Sequence, residues 1–130
     1  MPFFFNSCIL CAFTTNYAGG SYNLPIIREM MNATTGINIG PGQMLDIGER
    51  NFNLLRIHSA EEGYTRSKDK LPKRFNEVLP RGASTGSPIS EDKIEEAIDE
   101  YYELRGWEEE GPSAEKLRSL GMGEVVKYIE

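Results

Sequence analysis

Apolar residues recur at helical spacing over most of this chain, and the longest such run lies between Pro41 and Gly63. At about 100° per residue, Met44, Leu45, Ile47, Phe52, Leu54 and Leu55 fall within one arc of somewhat over half the circumference. Asp46, Glu49, Arg50, Asn53 and Arg56 take the other side. Proline suits a first helical position and glycine a stop, so the pattern predicts one long helix between Pro41 and Gly63. Gly48 lies inside the apolar arc. Glycine in a helix interior costs about 1 kcal/mol relative to alanine, and close approach of another backbone is the expected compensation.

The same reasoning places the other elements. Residues 6–17 are apolar and ambiguous by period; with Gly19 and Gly20 as a stop they read as a short buried helix. A helix is expected over Leu24–Asn32, with Pro25 in its first turn and Ile26, Ile27, Met30 and Met31 on a broad apolar face. Residues 64–90 carry Pro72, Pro80, Gly82, Gly86 and Pro88 and leave room only for a short helix over Leu71–Val78. So long an irregular connection is usually functional or laid over something else. Ser90 caps a further helix with Glu91 and Asp92 in its first turn, Ile94, Ala97, Ile98, Tyr101 and Leu104 as the expected buried stripe, and Gly106 as the stop. Ser113 caps another, ending at Gly121, and residues 123–129 read as a terminal turn or two. The prediction is all-α: a multihelical single domain over residues 1–130, with a long irregular connection at about 64–90.

Composition narrows the function classes. The chain has 130 residues, 39% hydrophobic and 26% charged. It contains no apolar run near the roughly 20 residues of a membrane span. Met1-Pro2-Phe3-Phe4-Phe5 has neither a basic region nor a long apolar core, so no secretory leader and a cytoplasmic location are expected. A formal charge of −6 argues against a nucleic-acid partner, which needs a basic face. The basic stretch Arg66, Lys68, Lys70, Lys73, Arg74 and Arg81 is either a solvated loop or a face for an acidic partner. Cys8 and Cys11 are the two cysteines and His58 the one histidine. Neither a four-thiolate zinc site nor a fully Cys-ligated cluster can come from two sulfurs. Any metal site must be shared with another chain or be absent. Asn51 and His58, seven residues apart, read as two buried polar groups bonding the 64–90 backbone.

Three segments carry a resemblance. They are Asn6-Ser7-Cys8-Ile9-Leu10-Cys11-Ala12-Phe13-Thr14, Gly48-Glu49-Arg50-Asn51-Phe52-Asn53-Leu54-Leu55-Arg56 and Tyr101-Tyr102-Glu103-Leu104-Arg105-Gly106-Trp107. In this order and spacing, with Leu71-Pro72, Arg74-Phe75, Leu79-Pro80 and the run Lys116–Gly121, the chain resembles the carboxy-terminal region of the aldehyde:ferredoxin oxidoreductases. The resemblance implies an all-helical domain closing over one side of a tungsten (or molybdenum) pterin and a 4Fe–4S cluster. The family's segment reads Asp-x-x-Gly-Leu-Cys, then one residue and Phe-Thr. Its cysteine, a cluster ligand, falls on Cys11; its leucine falls on Leu10, and its pterin-contacting aspartate on Asn6. Two positions depart: Asn6 is neutral, and Ile9 replaces glycine, adding bulk where backbone would approach the cofactor.

No Cys-x-x-Cys-x-x-x-Cys run occurs in the chain, so the isolated chain is expected to bind no cofactor and to be inactive alone. Electron transfer from an aldehyde to an iron–sulfur centre needs all these parts together. The first reading is a carboxy-terminal domain or split subunit completed by a separately encoded pterin-binding subunit, with ferredoxin as acceptor by family analogy. On this reading Phe3, Phe4 and Phe5 would be buried at the contact with that partner. The alternatives are a non-catalytic remnant or interaction module, and a small dithiol redox protein using Cys8 and Cys11. Assembly as a homo-oligomer stays open.

Overall fold

The computed structural model describes residues 2–11, 24–83, 85–86, 88 and 90–129. Among the described residues five α-helices form in chain order: α1 Pro2–Ser7, α2 Leu24–Thr35, α3 Pro41–Glu61, α4 Glu91–Arg105 and α5 Ala114–Ser119. Between α4 and α5, Trp107–Glu108 (β1) and Gly111–Pro112 (β2) pair antiparallel, Trp107 opposite Pro112. The fold is all-α apart from this small hairpin, which the helical periodicity gave no reason to expect. Among the described residues no helix is long and apolar enough to cross a membrane.

The 21-residue α3 is the spine, roughly 30 Å long at 1.5 Å per residue. Pro41 opens it, the Gln43 side chain accepts a hydrogen bond from the Gly40 amide at 2.8 Å, and Gly63 follows it at φ +83°. Its first half packs against α1 and α2 in a cluster of Phe4, Phe5, Ile27 and Met44, flanked by Cys8, Leu10, Met31 and Ile47. Its second half joins α5 and the terminal 3-10 turn Gly123–Tyr128 through Ile57, Leu117, Met122 and Val126.

Gly48 is where α1 meets α3. A Cβ there would stand 3.2 Å from the Phe4 amide nitrogen and 3.5 Å from the Phe4 Cβ, which is the backbone approach expected for this glycine. Phe4 and Phe5 are 1% and 2% exposed within this chain. Phe3 stacks on Phe52 with ring centroids 4.4 Å apart. The expectation that these phenylalanines await a partner is therefore overturned: α3 covers them.

Other boundaries moved. The helix expected over residues 6–17 starts earlier and has ended by Ser7, with Cys8 and Ile9 in a turn; residues 12–23, with Gly19 and Gly20, lie outside the described residues. α2 runs on to Thr35, where the threonine hydroxyls of its last turn bond back to Met30 and Met31 carbonyls at 2.7 Å. The helix expected over Leu71–Val78 shrinks to a 3-10 turn, Lys73–Asn76, held between Pro72 and Pro80; a second such turn is Arg66–Lys68. α4 is capped as expected, Ser90 Oγ accepting from the Lys93 amide and Gly106 ending it at φ +64°. Its buried residue, however, is Tyr102. Leu104 is 77% exposed, and Ile94, Ala97, Ile98 and Tyr101 line an open cleft.

Two glycines of α3 should respond oppositely to a side chain. Gly48→Leu drives a branched side chain into the α1 backbone and should destabilise by roughly 1–3 kcal/mol. Gly42→Ala, where an added Cβ meets nothing within 4 Å, should stabilise by about 0.4–1 kcal/mol. Urea unfolding midpoints of the two variants, moving in opposite directions from wild type, check both.

Candidate functional site

The turn after α1 holds the residues singled out for cofactor contact, and its shape follows from how α1 stops. The Leu10 amide bonds the Phe5 carbonyl at 2.9 Å and the Ile9 amide bonds the Asn6 carbonyl at 3.1 Å. This is the pair of bonds of a Schellman stop, in which the residue at Ile9's position takes the left-handed conformation and is usually glycine. Ile9 has φ +57°, the one non-glycine residue with positive φ among those described. A β-branched residue there is strained. The glycine in the resembling motif thus has a local reason: it ends the helix that presents the cysteine.

Asn51 anchors this turn from α3, its amide donating to the Phe3 carbonyl and to Ser7 Oγ, both at 3.1 Å. The expectation that Asn51 bonds the 64–90 segment is corrected: its partners are in α1. His58 also departs from expectation, with a side chain 71% exposed beside Glu61.

In the turn itself Asn6 and Cys11 are exposed, while Leu10 and Cys8 are half-buried against the first cluster. Burial raises the Cys8 thiol above its ordinary pKa, which disfavours the thiolate that dithiol chemistry needs. Among the described residues no three His, Cys, Asp or Glu side chains gather as a metal site. The donor set fits one thiolate at the border of a shared iron–sulfur site, with the Asn6 amide able to donate and accept beside it.

A second group of polar and aromatic side chains lies midway along α3, between the clusters. Asn53, expected on the polar side, is 0% exposed. Its Oδ1 accepts from Trp107 Nε1 at 2.7 Å and its amide donates to the Glu49 carbonyl at 2.8 Å. Trp107 sits on β1 because Gly106 turns the chain back across α3. Its ring meets Phe52 at 5.2 Å, Tyr101 at 5.7 Å and Tyr102 at 5.5 Å. Glu49 receives two cations, Arg105 at 3.0 Å and Lys116 at 3.2 Å. One aromatic set, packed edge-on and tilted around Trp107 with a buried amide beside it, thereby ties α3, α4, the hairpin and α5 together.

Arg56 extends the group toward the connection. Its guanidinium grips Asp69 through Nη2–Oδ2 at 2.9 Å and Nη1–Oδ1 at 3.4 Å. It lies 5.1 Å from the centre of the Trp107 ring. The Tyr102 hydroxyl bonds both Arg56 and Asp69. Arg66 reaches Glu95 and Asp99 of α4, each at 2.7 Å, so this member of the basic stretch is consumed within the chain. Sequence reasoning missed this network because its members are dispersed from position 49 to 116. The resembling segments contained several of them, but spacing alone could not pair them.

Two measurements follow. Ile9→Gly relieves the left-handed strain of about 1–2 kcal/mol against a smaller loss of backbone entropy. It should raise stability by up to about 1 kcal/mol, read as a higher unfolding midpoint. Burial, and then the hydrogen bond to Asp69, pushes the Tyr102 phenol from its ordinary 10 up to about 12, outweighing the opposing pull of Arg56. The folded pKa is above the unfolded one, so this contribution to stability is complete below pH 10 and is lost as pH rises toward 12. Spectrophotometric titration should show a late tyrosine ionisation, and Tyr102→Phe should remove that late step.

Comparison with known proteins places this geometry. The family model described as aldehyde ferredoxin oxidoreductase, domains 2 & 3, matches residues 1–122. A tungsten-containing aldehyde ferredoxin oxidoreductase of Thermococcus kodakarensis is 37% identical over 120 residues, 90% of this chain and 19% of its own length. The Pyrococcus furiosus protein of the same description is 36% identical over 122 residues, covering 92% of this chain and 19% of its own length. An aliphatic sulfonate oxidoreductase, WOR-like subunit, of Pyrococcus furiosus is 34% identical over 134 residues, 98% of this chain and 21% of its own length. The chain spans about a fifth of the length of these relatives. With that match over nearly all of its length, the chain belongs to the aldehyde ferredoxin oxidoreductase family.

Proposed function

We propose that this chain supplies the carboxy-terminal helical part of an aldehyde:ferredoxin oxidoreductase-like enzyme. The pterin and the remaining cluster ligands come from another domain or a separately encoded subunit. Cys11 is then one ligand of a 4Fe–4S cluster, while Asn6 and Leu10 border a tungsten (or molybdenum) pterin. The observation that carries the reading is the match itself: 90% of the chain aligns with 19% of a tungsten-containing relative, and the family-model match over residues 1–122 includes the cysteine turn. Such a cofactor pair oxidises an aldehyde to a carboxylate and passes the electrons to ferredoxin; the compartment is the cytoplasm.

This chain's own residues present and hold the contact. Asn51 and the Phe5 carbonyl fix the turn, so Cys11 is offered at a set place. Ile9, 94% exposed beside it, gives the turn an apolar tip to be covered by the cofactor-bearing part. Strained, exposed residues of this kind cluster at functional sites.

Anaerobic co-production with the cofactor-bearing part of a family member tests the reading. The complex should form, hold iron and reduce dye with an aldehyde. Cys11→Ala should remove most of the cluster iron and its electron paramagnetic resonance signal, and the activity with them. Equal iron and activity in Cys11→Ala, or no complex with wild type, would refute it.

A further inference from the structure

Between α3, α4 and the start of the irregular connection lies an open cleft of about 740 Å³, within the range of small-molecule sites. Its floor is apolar: Leu55 from α3, Ile94, Ala97, Ile98 and Tyr101 from α4, and Leu71. Four cations line it, Arg56, Lys68, Lys70 and Lys93, against one carboxylate, Asp69. Asp69 is already gripped by Arg56 and Tyr102. Among the described residues, ion pairs involve Arg56 and Asp69, and none involves Lys68, Lys70 or Lys93. A chain of net charge −6 has thus gathered uncommitted positive charge around one apolar hollow.

We infer that this cleft binds an amphipathic monoanion, a carboxylate on an aliphatic or arylalkyl body. The body lies on the Leu55, Ile98 and Tyr101 surface, and the anionic head meets Lys68, Lys70 and Lys93. Charge and shape together select this class. A neutral apolar molecule leaves the lysines unused, and a small polar anion leaves the apolar floor in water. The one carboxylate of the lining does not repel the head as a free charge, because Asp69 is paired with Arg56 and bonded by the Tyr102 hydroxyl, while Arg56 keeps a buried Nε without a hydrogen-bond partner. The inference stands apart from the cysteine turn and does not depend on a bound cofactor.

Trp107 is the single tryptophan and lines the cleft, so its fluorescence reports occupancy. Titration of the purified chain with octanoate should give a saturable change. Octanol, lacking the charge, and acetate, lacking the body, should each need at least tenfold higher concentration. The double variant Lys68→Gln with Lys93→Gln should weaken octanoate fivefold or more and leave octanol unchanged. Ala97→Phe, filling the floor, should weaken both. Circular dichroism of each variant confirms that the fold is kept, and the surface lysine pair tests the head group without touching the core. No saturable response to octanoate, octanol binding as well as octanoate, or an unaltered response in the lysine variant would each overturn the assignment.

Discussion

At Gly48 the backbone of α1 comes so near α3 that a Cβ would stand 3.2 Å from the Phe4 amide, and the amino-terminal half of the protein is arranged around that approach. It lets Phe4 and Phe5 leave water, each contributing roughly 1.5–3 kcal/mol. It also brings the Phe3 carbonyl and Ser7 within reach of Asn51. With α1 held at its side and at its end, the turn that follows has little freedom. The position of Cys11 is therefore set by a glycine 37 residues away in the sequence. Packing at Gly48 and the chemistry proposed for the turn are one structural arrangement.

Farther along α3 the constraint changes from close backbone contact to satisfaction of buried polar groups. Asn53 is fully buried yet bonded at both ends of its amide, to Trp107 and to Glu49. Leaving either partner out would cost about 1–3 kcal/mol. Glu49 in turn balances Arg105 and Lys116. The carboxy-terminal elements are short, a hairpin of two-residue strands and a six-residue α5, and such pieces have no stability alone. They hold because they share the aromatic set and the Leu117 cluster with α3. The upper part of α4 lacks such cover. Its apolar side opens onto the cleft instead.

The regular part of the fold was legible in the sequence. Pro41, Gly63, Ser90, Gly106 and Ser113 mark helix ends by local chemistry, and each acts where local chemistry put it. Gly48 was legible too, since an apolar-face glycine needs a reason. The errors share a cause. Asn53 and Tyr102 are buried by partners distant in sequence, so a helical wheel placed Asn53 outside and gave α4 the wrong inner face. The hairpin hangs on Gly106, Gly111 and the Trp107 bond, none of which has a period. Phe3–Phe5 were legible as surface that must be covered, but the identity of the cover, α3, was not. In the cysteine turn the residues were legible, and the resemblance implied roles for them. The left-handed conformation of Ile9 came only with the structure.

The turn bearing Cys11 is set by bonds within the chain, with or without a cofactor. Native-state hydrogen exchange on the metal-free chain measures this directly. The Cys8 and Leu10 amides, bonded to the carbonyls of Phe4 and Phe5, should be protected to a degree approaching that of the core amides of α3. Exchange of these two amides at the rate of an unfolded peptide, while α3 stays protected, would contradict it.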